Sequence, residues 1–169
     1  WALARRSHSP KHGDIVLFRL PSLRRRTAES LHLGRIVALP GDSIELRAGR
    51  LVVNEEEVHD YRHEINPSES YALRLPREGG VYPITSTNLV AYRSALLEEQ
   101  KLYPSAPDEV ALEGTDPKHW LKALAKNPYH TFRRDYYWVL TDQTQAAPDS
   151  RHLGILPADA ILGIVLFSL

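Results

Sequence analysis

The stretch from Tyr136 to Gly163 constrains the fold of this chain more than any other. Its apolar aromatic run, Tyr136–Leu140, predicts a buried strand, and a second apolar strand is predicted to begin at Ile161. Between them lies a polar loop, Thr141–Ser150, whose only apolar residues are small alanines and one proline. A polar loop that joins two buried strands is where a rigid scaffold usually displays a site. We therefore expect this loop to carry functional residues.

Two charged side chains near the end of the loop are predicted to fix it. Asp149 and Arg151 are two residues apart, so in an extended segment they would share one face and could form an ion pair. Gly154 and Pro157 then predict a turn before the second strand.

The composition narrows the classes of protein to consider. A chain of 169 residues suits one domain with a sizeable core, or a smaller core that carries an insertion. The formal net charge is zero, which gives no electrostatic reason to expect a nucleic-acid partner. The eight histidines are scattered and cysteine is absent, so we predict no metal site and no cofactor.

The elements before residue 60 are predicted to be strands and tight turns. Strands are indicated at Gly13–Pro21 and Leu31–Leu39, and Pro40–Gly41 suits the centre of a type II turn because glycine supplies the positive φ. Hairpin turns are predicted at Ala48–Gly49 and near Asn54–Glu55. The first twelve residues are basic and polar without periodicity, which predicts an irregular segment.

Two helices are predicted further along. One would run through about Gln100, capped by Thr85 or Ser86. The other would begin at Asp116, an N-cap residue followed by a first-turn proline.

Three boxes of the sequence resemble the type I signal peptidases and stand in that family's order. Gly13–Pro21 is similar to the box GDIVVFxxP, and the segment LGRIVALPGD is similar to KRxVGLPGD. The last box, GDNRxxSxDSRxxGxVxxxxIxG, resembles the end of the chain. The matching residues in the second and third boxes are Arg35, Val37, Leu39, Pro40, Gly41, Asp42, Asp142, Asp149, Ser150, Arg151, Gly154, Ile161 and Gly163.

The resemblance implies a mainly β fold with minor α, a signal peptidase I-like antiparallel β core. By this resemblance, residues 1–58 and 135–169 are expected to form the β core, and residues 59–134 an inserted α/β subdomain with short helices.

The resemblance also implies an activity and its machinery. The family is implied to cleave signal peptides from exported preproteins, as a membrane-anchored serine endopeptidase with a lysine general base. Such a lysine must be neutral, which burial in an apolar site achieves. The lysine's place is held here by Gly34, and the place of the serine that orients it is held by Ala147. These two residues are predicted to lie side by side, around a small vacant pocket.

Other parts of the machinery differ as well. No upstream serine box precedes Gly13, and Ser7 offers only a coincidental serine-to-proline spacing. His32 is the alternative base to consider, since it shares a strand face with Gly34. Two residues along a strand span roughly 6.5 Å, which exceeds the reach of about 3 Å that a general base needs. Asp142, Asp149, Ser150, Arg151 and Arg35 are therefore predicted to support a site that lacks its catalytic groups.

Four hypotheses follow from these residues. The chain is an active signal peptidase separated from its anchor and serine box, or a non-catalytic relative that binds exported peptides or a partner peptidase. A self-cleaving repressor of the same fold and an unrelated β domain are less consistent with the three boxes.

The same resemblance sets expectations for partners and location. Extended signal-peptide segments are the expected partners, and the basic residues Arg5, Arg6, Lys11 and Arg24–Arg26 suit an anionic membrane surface. No run approaches the roughly 20 apolar residues of a membrane span. We therefore expect an extracytoplasmic, periplasmic domain on the bacterial inner membrane, anchored by a segment outside this chain.

Overall fold

A computed structural model describes residues 2–5, 9–20, 31–59, 69–104, 116–141 and 148–168. These ranges contain twelve strands, three α-helices and one 3-10 turn. The strands are β1 (Ala2–Arg5), β2 (Ile15–Arg19), β3 (Leu31–Ala38), β4 (Ser43–Arg47), β5 (Arg50–Val53), β6 (Glu56–Glu57), β7 (Tyr71–Arg74), β8 (Val81–Pro83), β9 (Tyr129–Thr131), β10 (Tyr136–Leu140), β11 (Leu156–Pro157) and β12 (Ile161–Ser168). The helices are α1 (Leu89–Leu102), α2 (Pro117–Leu124) and α3 (Ser150–Leu153), and the 3-10 turn is Ala158–Ala160.

The strands form antiparallel sheets. A six-stranded sheet has the order β1-β12-β2-β3-β10-β11, a four-stranded sheet has the order β6-β5-β4-β7, and β8 pairs with β9. Each strand pair in them is antiparallel. The predicted mainly β class with minor α is confirmed.

The strand β10 lies near the centre of the molecule and explains why its sequence is apolar throughout. Tyr136, Trp138 and Leu140 belong to a larger hydrophobic cluster, whereas Tyr137 and Val139 belong to a smaller one. Successive side chains of a strand point to opposite faces, so a strand covered on both faces buries every residue. All five residues are buried, as predicted.

The larger hydrophobic cluster contains residues from both the predicted core and the predicted insertion. The strand β7, from residues 59–134, pairs with β4, and Tyr92, Trp120 and Phe132 from the same segment pack in one cluster with Trp138. The division at residues 59–134 stays a prediction. Whatever its boundaries, that segment shares one hydrophobic core with the frame.

The turns before residue 60 agree with the sequence. Gly41 has φ +94°, and the Asp42 N–H donates to the Leu39 carbonyl at 3.0 Å. At the two hairpin turns, φ is positive at both central residues, which is the requirement of a type I′ turn; these residues are Ala48, Gly49, Asn54 and Glu55.

The expectation of an irregular N-terminal segment is wrong in part. The backbone of Ala2–Arg5 forms β1, which pairs antiparallel with β12. Without β1, one edge of the eight-residue strand β12 would present a row of unpaired N–H and C=O groups. Backbone pairing with β1 satisfies these groups, and it does not depend on the side-chain pattern.

The first helix begins later than predicted. Its N-cap is Asn88 rather than Thr85 or Ser86. The Asn88 side chain accepts a hydrogen bond from the Thr85 N–H at 2.9 Å and donates to the Pro83 carbonyl at 2.8 Å. It thereby holds the preceding residues in a turn. The second helix is capped as predicted, with the Lys118 N–H donating to Asp116 Oδ1 at 2.9 Å.

Candidate functional site

Asp149 closes the base of the loop predicted to carry the site. Its carboxylate is fully buried and accepts a hydrogen bond at Oδ2 from the N–H of Thr141, at 2.9 Å. Thr141 directly follows β10 at the start of the loop, and Asp149 directly precedes α3 at its end. One carboxylate therefore holds both ends of the intervening segment together.

The predicted ion pair between Asp149 and Arg151 is confirmed. Arg151 Nε lies 2.9 Å from Asp149 Oδ1 and 3.1 Å from Oδ2, and its Nη2 also bonds Oδ2. Burial alone would raise the pKa of the Asp149 carboxyl, but hydrogen bonds from Arg151 and Thr141 outweigh burial and lower the pKa below its usual value. Asp149 is therefore ionised at neutral pH.

The local structure around this pair differs from the expected extended segment. Residues Ser150–Leu153 form one turn of helix, and Asp149 is its N-cap, accepting from the Arg151 N–H at 3.0 Å. A carboxylate at an N-cap satisfies an otherwise unpaired backbone N–H. The same aspartate thus caps the helix and binds the arginine.

Ser150 fixes the neighbouring strand. Its Oγ accepts a hydrogen bond from the Val139 N–H at 2.9 Å, and both residues are buried. The hydroxyl faces a backbone group of β10 in this arrangement.

Gly154 lets α3 lie directly against α1. A Cβ atom at this position would lie 2.1 Å from the Ala91 carbonyl oxygen, and φ is +78°. The same carbonyl accepts from the Ile155 N–H at 3.1 Å. Only glycine meets both requirements, the positive φ and the close backbone approach. The helix α1 therefore packs directly against the C-terminal end of α3.

Gly34 lies in β3 in a closely packed place. A Cβ atom there would lie 2.6 Å from Val139 Cγ1, 3.0 Å from Phe18 Cε1 and 3.1 Å from the Leu140 carbonyl oxygen. The predicted vacant pocket at Gly34 is therefore wrong, because neighbouring atoms already fill the space where a side chain would begin. Ala147, its predicted neighbour, lies outside the described residues.

The other β3 candidates lie beside Gly34. His32 is paired with Phe18 across the strands, with ring centroids 5.7 Å apart. Arg35 is exposed, and its Nη1 donates to the Gly13 carbonyl at 3.0 Å, which joins the first two sequence boxes.

Asp42 organises the turn that follows β3. Its Oδ2 accepts from the Leu39 N–H at 2.7 Å and lies 2.7 Å from His12 Nε2, while Oδ1 accepts from Asn54 Nδ2 at 2.9 Å. Burial raises the pKa of Asp42, but these partners, Asn54 first, lower it below its usual value. The aspartate of the LPGD box is thus held by three separate segments.

The sequence analysis missed a buried polar network between α1 and the start of β10. Glu99 of α1 accepts from the Tyr136 hydroxyl at 2.8 Å and lies 2.9 Å from His130 Nε2. Arg134 Nη2 donates to Glu98 and to the Tyr136 hydroxyl, each at 3.1 Å. Burial and the Glu99 charge raise the pKa of Tyr136, which keeps its hydroxyl protonated. Glu98 and Glu99 are more than 30 residues from the partners named here, so no local spacing could reveal these bonds.

The remaining sequence candidates cannot be placed. Asp142 and Ser7 lie outside the described residues, as does the basic run Arg24–Arg26. Among the residues that are described, no group of three or more His, Asp or Glu could hold a metal ion. The longest described helix, α1, has 14 residues, and no helix in these ranges has the length and apolar character that crossing a bilayer requires.

Comparisons with known proteins bear on the resemblance. A signal peptidase I from Buchnera aphidicola subsp. Baizongia pistaciae (strain Bp) is 24% identical over 176 aligned residues, which cover 95% of this chain and 55% of the relative. The chain thus spans about half the length of the curated relative it matches. A crystal structure of a signal peptidase I from Enterococcus faecalis V583 is 21% identical, with a TM-score of 0.39, covering 92% of this chain and 96% of that one.

The family comparison covers nearly the whole chain. The family described as "Signal peptidase, peptidase S26" matches residues 2–169, which include all three boxes. The match confirms the resemblance, and this chain belongs to the signal peptidase, peptidase S26 family.

Proposed function

We propose that this chain is the extracytoplasmic part of a signal peptidase relative that binds extended segments of exported proteins and does not cleave them. The observation that carries the proposal is Gly34. It stands where the family pattern has its lysine base, and glycine has no group that accepts or donates a proton.

The size of the expected loss supports inactivity. Removing the general base of a serine hydrolase costs on the order of 10⁴–10⁶ in turnover. That factor corresponds to roughly 5–8 kcal/mol of transition-state stabilisation. His32 belongs to the same strand, but roughly 6.5 Å separates residues two apart, so it would not replace a base at position 34.

Binding is proposed because the frame around the site is kept while the base is not. Asp149, Ser150 and Arg151 are paired and buried or nearly so, and they hold the loop ends whether or not a reaction follows. The strand β3 also exposes two apolar side chains, Leu31 at 55% and Leu33 at 49%. An apolar extended peptide is the partner that such side chains suit.

Location and further partners belong to the same proposal. We place the domain on the periplasmic face of the bacterial inner membrane, with the anchor outside this chain. An anionic membrane surface and a partner peptidase are additional partners consistent with it.

A binding experiment tests the proposal. The full-length protein in detergent is titrated into a labelled synthetic signal peptide, with anisotropy reporting binding and mass spectrometry reporting products. We expect saturable binding without product. Leu33→Asp should weaken binding by about tenfold, equivalent to 1.4 kcal/mol. Val90→Asp, at a 66% exposed position on α1, is the matched control and should leave binding unchanged.

Two results would contradict the proposal. Stoichiometric or catalytic cleavage of the peptide would refute inactivity. Absence of binding, or equal weakening by both substitutions, would refute the proposed peptide contact with β3.

A further inference from the structure

We infer that Val139 and Gly34 form a size-complementary pair, in which Val139 occupies the space that a base at position 34 would need. The inference deepens the proposed function and rests on it only in taking position 34 as the place of the base. Its evidence is the distance of 2.6 Å between Val139 Cγ1 and a Cβ atom built on Gly34. Real Cβ atoms do not approach a methyl carbon so closely, so a side chain at position 34 would require Val139 to shift or to be smaller.

Space is the reason for glycine at this position. Gly34 is not among the residues with positive φ, so its backbone conformation is open to any amino acid. Glycine inside a strand is otherwise unfavourable, and it often marks a place where another group approaches closely. Here the approaching group is the side chain of Val139.

Val139 has little freedom to move aside. It is buried, and its N–H is held by Ser150 Oγ at 2.9 Å. Its Cα is in register with Ile36 of β3. Valine is branched at Cβ and has few χ1 rotamers, so rotation does not offer an easy alternative.

The other sides of the position are also occupied. Phe18 Cε1 would lie 3.0 Å from the added Cβ, and the Leu140 carbonyl oxygen would lie 3.1 Å from it. Phe18 is fully buried. Restoring lysine at Gly34 alone would therefore distort β3, and a base is accommodated there only when residue 139 is also reduced.

A double-mutant cycle on the full-length protein tests the pair. Gly34→Ala should lower Tm by about 4–8 °C because it overpacks the site. Val139→Ala should also lower Tm, because it leaves a cavity. The combined variant should melt at least about 4 °C above the value that the two separate losses predict, since each substitution relieves the other.

A matched control separates this contact from a general loss of stability. Val53→Ala removes the same two methyl groups from a buried valine of the larger cluster, away from Gly34. Combined with Gly34→Ala, its effect should be additive within about 1–2 °C. Additive losses for Gly34 and Val139 as well would overturn the inference.

The cycle stays informative when a single variant does not fold. If Gly34→Ala alone does not fold but the combined Gly34→Ala, Val139→Ala variant does, the result supports the pair. If Val139→Ala folds but the combined variant does not, the result overturns it. The result is independent of activity. Cleavage by the unmodified protein would refute the proposed function and leave the measured coupling intact.

Discussion

The two sides of the candidate site have kept different kinds of residue. On the α3 side, Asp149, Ser150 and Arg151 match the family pattern, and their polar groups hold the ends of the loop. On the β3 side, Gly34 stands at the position that we propose corresponds to the family's lysine, and Val139 and Phe18 approach it closely. Removing one member of the buried Asp149–Arg151 pair would leave the other charge unpaired, which costs free energy of folding. A glycine closely packed by apolar side chains leaves no polar group unpaired and has no such cost.

The comparison predicts its largest effect at Asp149. Asp149→Ala should lower the free energy of unfolding by about 3–5 kcal/mol, because it removes the buried carboxylate that pairs with Arg151 and accepts from the Thr141 N–H. Urea denaturation measures the loss. Glu57→Ala is the control, since Glu57 lies 3.9 Å from Arg50 in an exposed ion pair worth about 0–1 kcal/mol. Equal losses in both variants would contradict the structural role of Asp149.

The next largest effect is expected at Gly154. Gly154→Ala should destabilise by about 2–4 kcal/mol, from the positive φ and from overlap with the Ala91 carbonyl. Gly79→Ala provides a matched control, because Gly79 has φ +75° but no atom within 4 Å of an added Cβ. It should lose only about 1–2 kcal/mol. A difference near zero would show that α1 does not press on α3.

The pH dependence of stability distinguishes the α3 side in another way. The pKa of the Asp149 carboxyl is lowered in the folded protein from its ordinary value of 3.8. The ionised carboxylate therefore stabilises the fold at pH values above 3.8. That contribution is lost as the pH falls from about 5 through the lowered pKa. Stability measured between pH 7 and pH 3 should therefore fall more steeply in the unmodified protein than in Asp149→Asn. Parallel curves would exclude Asp149 as a source of the acid sensitivity.

The smallest effect is expected at the turn that follows β3. His12→Ala should change the free energy of unfolding by less than about 1 kcal/mol, because His12 is exposed and Asp42 keeps Asn54 and the Leu39 N–H as partners. Asn54→Ala, measured alongside, should cost more, since the Ser43 N–H also donates to Asn54. A larger loss at His12 would contradict this ranking.

Local patterns predicted much of the frame. The bounds of β10, the turn at Gly41, the second helix cap at Asp116 and the Asp149–Arg151 pair are all as expected, because neighbouring residues determine each of them. The one-turn helix at Ser150–Leu153 was not expected, since an aspartate two residues before an arginine suits an extended pair and a capped turn equally.

Contacts between segments that are distant in sequence could not be predicted from local patterns. Val139 meets Gly34 through the register of β10 on β3, which shifts between Trp138 and Val139. No pattern within either strand encodes that irregularity. The Glu99–Tyr136 bond and the Gly154–Ala91 approach likewise depend on how α1 packs, because Glu99 and Ala91 belong to α1 and their partners are distant from it in sequence.

The most direct test of the account is a cleavage assay on the full-length protein. The protein in detergent is incubated in excess with an exported precursor between pH 6 and pH 9, beside an active signal peptidase as positive control. We predict intact precursor at every pH, because glycine at position 34 provides no base and neighbouring atoms leave no room for a larger side chain. Cleavage at the signal-peptide junction that His32→Gln abolishes would contradict it and assign the base to His32. Cleavage that survives this substitution would contradict it equally and require a base elsewhere in the protein.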